Sequence, residues 1–209
     1  MNEISVPLAL LDFVPVGICA VVLSKFLKDF YSRMTPLHYA FFSAGSFMLV
    51  SGSFLKALQK ILFALEVCDF TVLTEQFFPC QALAFIFLSI GTYGMLRKNK
   101  NITKLCSVSS IPVITSHLPF IILMTLGLIS WYIGLIAVSA KLKCKKGIIC
   151  MIIALVIMLA KSGLGTKFDN SQGIMHWFAE SINTIAHIFF LVGAFAMHKA
   201  VSYENADKS

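Results

Sequence analysis

Residues 105–140 read LCSVSSIPVITSHLPFIILMTLGLISWYIGLIAVSA, 36 consecutive positions without an Asp, Glu, Lys or Arg. One straight α-helix of that length would extend about 54 Å at 1.5 Å per residue, against about 30 Å of hydrocarbon in a bilayer. Divided in two, the run gives crossings of about 17 residues with almost no loop, the short limit for a span. Pro112, Pro119 and Gly127 offer places to break or kink it, and a break near Pro119 or Gly127 is expected.

Apolar blocks of similar kind fill the rest of the chain, at about 6–27, 37–65, 77–96, 147–160 and 173–198. Of the 209 residues 58% are hydrophobic and 13% charged, about half the charge of a soluble domain. The fold class expected is therefore all-α: a single polytopic transmembrane domain over residues 1–209, with short loops. The net charge of +7 does not point to nucleic acid, because the basic residues cluster at helix ends, as loop charges on the cytoplasmic side do. No Lys or Arg precedes Lys25, so the basic leader of a cleaved signal peptide is missing and 6–27 is expected to remain as a span. The six cysteines have no metal-ligand spacing. Packing is the favoured role, with a Cys68–Cys80 disulfide as the alternative.

Charge decides how often the uncharged run crosses. With one crossing, six spans in all, six basic residues (Lys141, Lys143, Lys145, Lys146, Lys199, Lys208) face nine on the other side. With two crossings, seven spans, 13 fall on one side and only Lys161 and Lys167 on the other. The positive-inside rule prefers seven, with the N-terminus outside and the C-terminus cytoplasmic in a cell membrane.

An internal repeat leads to the same plan. Residues 84–95 aligned on 186–197 are identical at Ala84, Ile86, Phe87, Gly91 and Met95, and Arg97 then matches Lys199 as a basic stop. Each half runs span, basic loop, span, acidic or mixed loop, span, basic end. Two halves with one charge pattern share one orientation, so three spans each require a linker span. The plan is 3+1+3: residues 1–98 the first half, 99–122 the linker span, 123–200 the second half and 201–209 a polar C-terminal tail. A six-helix 3+3 inverted repeat is the alternative. The 3+1+3 plan resembles that of the sugar-transporting SWEET proteins and the PnuC vitamin transporters, and more loosely the rhodopsin-like seven-helix proteins. The resemblance is architectural, covers the whole chain, and implies transport only by analogy.

Ionisable groups within a bilayer are costly and mark function or a buried pair. Asp12 lies in the first block, Lys56 and Lys60 share a face of the second at i,i+4, and Glu180 lies in the last. With the N-terminus outside, all four fall in or near the outer third of the bilayer, as do Gln81, His176, Asn183 and, deeper, His187. In the repeat Gln81 matches Asn183, as an amide pair of a pseudo-symmetric site would. These eight residues are the candidate binding set for a small polar solute in a cavity open to the outside, in a transporter or permease. The structural alternative is that Asp12 pairs with Lys60 or Lys56 to lower the cost of burying both, while Lys60 and Glu180 snorkel. Other functional alternatives are a receptor or accessory subunit, alone as a homo-oligomer or with a partner membrane subunit, and, less favoured, a lipid-modifying enzyme using Asp12, Glu180 and His176. No nucleophile–base arrangement, metal motif or cofactor motif stands out, so no catalytic residue, metal or cofactor is expected.

Overall fold

The computed structural model describes residues 5–67, 76–96, 118–164 and 173–206. Among them every regular element is helical: α1 (Val6–Leu11), α2 (Phe13–Phe30), a short 3-10 turn at Tyr31–Arg33, α3 (Pro36–Ala64), α4 (Phe77–Leu96), α5 (Leu118–Lys141), α6 (Lys145–Leu164) and α7 (Gly173–Ala206). Five stretches are long and apolar enough to cross a membrane: Val6–Arg33, Pro36–Ala64, Phe77–Leu96, Pro119–Lys141 and His176–Glu204. The 20-residue α6 packs between α5 and α7.

Local sequence accounts for the helix ends. Pro15 has no N–H for the Leu11 carbonyl and its ring crowds that oxygen, so the first span is interrupted between Leu11 and Phe13. Asp12 sits in the joint with helical dihedrals (φ −61°, ψ −25°). Thr35 caps α3 by accepting the His38 N–H at 3.4 Å, with Pro36 following in the first turn. α3 and α5 both end with a non-glycine residue in the left-handed region, Glu66 (φ 56°) and Lys143 (φ 54°). In each case a six-to-one bond closes the turn, Val67 N–H to Leu62 O at 3.1 Å and Cys144 N–H to Ser139 O at 2.9 Å.

α5 starts at Leu118 with Pro119 in its first turn and runs unbroken through Gly127. No break occurs at Gly127; the residues before Leu118, where a break near Pro119 would fall, lie outside the described residues. Residues 118–122, placed in the linker by sequence, belong to this helix; 97–117 lie outside the described residues, as does Cys68. The last helix continues through Ala206, with Val201 buried, into the stretch expected to be a polar tail.

Contacts fix the helix directions. α3 runs against α2, as Phe13–Phe54 and Phe30–Phe42 show, and against α4, where Gly91 meets Phe42. α4 and α5, however, run parallel. Phe85 lies by Gly127, Thr92 by Gly134, and Lys141 Nζ donates to Met95 O at 3.1 Å. α6 runs against α5 and α7. α2 and α7 are parallel, with Phe26 on Phe190 and Asp29 on His198. One end of the bundle therefore collects Lys25, Lys28, Arg33, Lys141, Lys143, Lys145, Lys146 and Lys199. The chain leaves α4 at this basic end and enters α5 at the opposite one.

Large apolar side chains such as Phe47, Phe54, Leu126 and Val156 are exposed along the helices, while Ser46, Ser89, Thr92 and Ser139 are buried. Each buried hydroxyl donates to the carbonyl four residues back, at 2.7–2.9 Å, which satisfies it without water. An aromatic seam at mid-depth joins α2, α4, α5 and α7. Trp131 packs on Phe85 (5.8 Å), Tyr132 (5.6 Å) and Phe190 (5.5 Å).

Candidate functional site

The end opposite the basic one holds a buried charge cluster. The Pro15 break places Asp12 about 9 Å along the first span from Val6, and Glu180 lies about 11 Å along α7 from Gly173. Lys60 is one turn from the end of α3. Directions of travel bring these three to one depth, and their side chains meet. Lys60 Nζ bridges the Asp12 carboxylate and Glu180 Oε1, the latter at 3.1 Å. Glu180 Oε2 accepts from Asn183 Nδ2 at 3.3 Å and faces Lys161 Nζ at 3.8 Å. Asp12 is 8% and Glu180 9% exposed, and the Lys60 side chain is 15% exposed, so Lys60 and Glu180 turn into the bundle and toward each other.

Three ammonium groups thus accompany two carboxylates. Lys56, one turn from Lys60, feels both carboxylates but forms its close contact with an aromatic face, lying 4.2 Å from the Phe77 ring centroid. Asp12 Oδ1 is buried with no hydrogen-bond partner among the described residues. The cluster therefore holds one ammonium more than its carboxylates and one carboxylate oxygen without a hydrogen bond among the described residues, chemical counterparts for an anionic and a cationic group of a solute.

Of the remaining candidates, Gln81 lies apart from this centre. Gln81 is buried in the α3–α4 interface, where Nε2 donates to Ser53 Oγ at 2.8 Å and Leu49 O at 3.4 Å. Asn183 instead supports Glu180, so the two amides engage different helices. His187 Nδ1 donates to the Asn183 carbonyl at 2.8 Å, and His176 is half-buried one turn before Glu180. Among the described residues no group of three or more His, Cys, Asp or Glu is placed to hold a metal ion.

Sequence reasoning placed Lys161 in an outer loop; α6 extends past it to Leu164 and carries it into the cluster. It also passed over a second set of ties, at the basic end of the α2–α7 seam. Asp29 accepts from His198 Nδ1 at 2.9 Å on both oxygens, and Arg33 pairs with Glu204 at 3.0 Å. The signal was available as two acidic residues among many basic ones, each within two residues of a helix end. Compared with known protein families, curated proteins and solved structures, the chain matches none.

Proposed function

We propose that this chain is a transporter or permease for a small polar solute, built from two three-helix halves, with solute entering at the Asp12–Lys60–Glu180 cluster. The observation that carries the reading is how that cluster divides between the halves. Asp12 and Lys60 belong to the first half, Glu180 and Lys161 to the second. Separating the halves at this end leaves a carboxylate–ammonium pair on each, and among the described residues the Lys60–Glu180 ion pair is the one lost. The ties at the opposite end, Asp29–His198 and Arg33–Glu204, also join first half to second. A seam tied at both ends, with an aromatic pivot between, suits alternating access by rocking of one half against the other.

The proposal includes seven crossings. Parallel packing of α4 and α5 supports this. By the Phe85–Gly127 register, Leu118 is level with the start of α4, so Leu96 and Leu118 are about 30 Å apart along the helix axes. That is the thickness of the hydrocarbon, and the intervening 21 residues include the first third of the uncharged run. The repeat has geometric support as well. Gly91 and Gly193, aligned in sequence, occupy like places in α4 and α7. A Cβ at Gly91 would lie 2.9 Å from His38 O of α3, and one at Gly193 3.6 Å from Gly147 O of α6. The basic end is then cytoplasmic and the N-terminus outside.

The test is a thermal-shift screen of purified protein against amino acids, small carboxylates, amines and sugars, followed by uptake in proteoliposomes. A solute that stabilises the wild type should lose its effect on Glu180→Gln and Asn183→Leu. A solute taken up equally by both variants would refute this site. Stabilisation without uptake would refute transport and favour a receptor or accessory subunit.

A further inference from the structure

A groove of about 520 Å3 opens between the start of α6 and the last turns of α7, at the basic end and away from the charge cluster. Its volume is within the roughly 300–1,000 Å3 typical of ligand sites. Leu191, Val192 and Phe195 form its apolar floor, and Lys146, Lys199 and Tyr203 its rim. Lys25 of α2 lies 4.6 Å from the Phe195 ring centroid. Val192 and Phe195 are 37% and 39% exposed on the outer surface of the bundle, so whatever fills the groove enters sideways from the bilayer. From Val192 to Lys199 the axis rises about 11 Å, most of one hydrocarbon leaflet. The acidic groups near this end among the described residues, Asp29 and Glu204, are engaged by His198 and Arg33, and neither Lys146 nor Lys199 forms an ion pair there.

We propose that this groove binds one anionic phospholipid, its acyl chain along Leu191, Val192 and Phe195 and its phosphate between Lys146 and Lys199. Basic pockets between transmembrane helices on the cytoplasmic side recognise such head groups, and the amino end of α6 adds its dipole at the rim. Charge complementarity selects an anionic over a zwitterionic lipid. The apolar floor selects a lipid over a soluble phosphate. This site is independent of solute transport.

Native mass spectrometry of the full chain with phosphatidylglycerol or phosphatidylcholine tests it. The wild type should retain one phosphatidylglycerol in preference to phosphatidylcholine. Lys146→Ala with Lys199→Ala should weaken retention about thirtyfold, since each basic group near the lipid is worth about 1 kcal/mol. Lys28→Ala with Lys143→Ala removes two exposed lysines of the same end that do not line the groove and should leave retention unchanged. Val192→Trp fills the floor without touching the charges; it should expel the lipid while the melting temperature without added lipid holds. Equal loss from both lysine pairs would overturn the site in favour of diffuse attraction. Displacement by soluble glycerol phosphate, with Val192→Trp silent, would reduce it to an anion site and overturn the lipid. A dimer dispersed by Val192→Trp, with no lipid retained, would assign the groove to a second copy instead.

Discussion

Replacing Lys60 by Met should destabilise the protein by about 3 kcal/mol, the low end of the 3–5 kcal/mol for breaking a buried ion pair from one side. The low end follows from the geometry. Lys60 serves two carboxylates, but Glu180 keeps Lys161 at 3.8 Å and Asn183 at 3.3 Å. Asp12 keeps nothing: Oδ2 loses Lys60 and Oδ1 has no partner among the described residues. The cost is therefore concentrated on one buried carboxylate. It follows that Asp12→Asn should rescue Lys60→Met, because a neutral amide in the helix joint needs no counter-ion. The double variant should lie within about 1 kcal/mol of wild type, as neutral replacements of buried pairs commonly do. Asp12→Asn alone should cost less than Lys60→Met, because Lys60 keeps Glu180.

Thermal unfolding in detergent, followed by tryptophan fluorescence, reads this directly. Trp131 is 2% exposed among Phe85, Tyr132 and Phe190, so its emission reports loss of the seam. At about 2–4 °C per kcal/mol for a chain of this size, Lys60→Met should melt about 6–12 °C lower and the double variant within about 4 °C of wild type. A Lys60→Met variant that melts like wild type would show that the cluster is solvated and carries little energy. A double variant as unstable as the single would show that Asp12 is not where the cost falls.

Three further outcomes follow from the packing. Gly91→Ala should cost about 1–3 kcal/mol, the usual range for overpacking, since its Cβ would stand 2.6 Å from Phe42 Cβ and 2.9 Å from His38 O. Gly193→Ala, whose neighbours begin at 3.1 Å and include the flexible Met151 end, should cost less; chemical denaturation of both variants compares them. Lys143→Gly should stabilise by about 1 kcal/mol by relieving a left-handed non-glycine residue, visible as a rise in melting temperature; no rise would mean the turn is unstrained. For the topology, Lys100→Cys in a cysteine-free background should label only from inside and His117→Cys only from outside. Labelling of both from one side would refute a crossing between α4 and α5.

Depth was legible in the sequence; rotation was not. Asp12, Lys60 and Glu180 could be set at one level by counting residues from helix ends and alternating direction, and they do meet. Gln81 and Asn183 were set at similar levels too, yet Gln81 points to Ser53 of α3 and Asn183 to Glu180 on its own helix. The reason is physical. α4 is apolar on nearly every face, so no polar stripe records which side faces which neighbour. Lys161 was lost differently. The residues after it, Ser162-Gly163-Leu164-Gly165, have turn chemistry, and turn chemistry marks a helix end only to within a few residues. The parallel α4–α5 pair was implied by charge asymmetry, because two adjacent spans that both end in lysines or arginines must end on the same side.

The division of the charge cluster also sets the energy scale for any motion at that end. A buried charged group stripped of its partner costs several kcal/mol, and a cluster that split unevenly would lock the halves together. In the proposed division the boundary runs between Lys60 and Glu180 and leaves Asp12–Lys60 on one side and Glu180–Lys161 on the other. Opening as proposed forfeits, among the described residues, one hydrogen bond between charged groups, worth about 1.5–3 kcal/mol, and water or solute entering the gap returns part of that. The basic end presents a similar load, one Asp29–His198 contact and one partly exposed Arg33–Glu204 pair, the latter worth about 1 kcal/mol or less. Two ends of comparable, modest strength are what a rocking bundle requires, since an end held much more tightly than the other would keep the seam open on one side only.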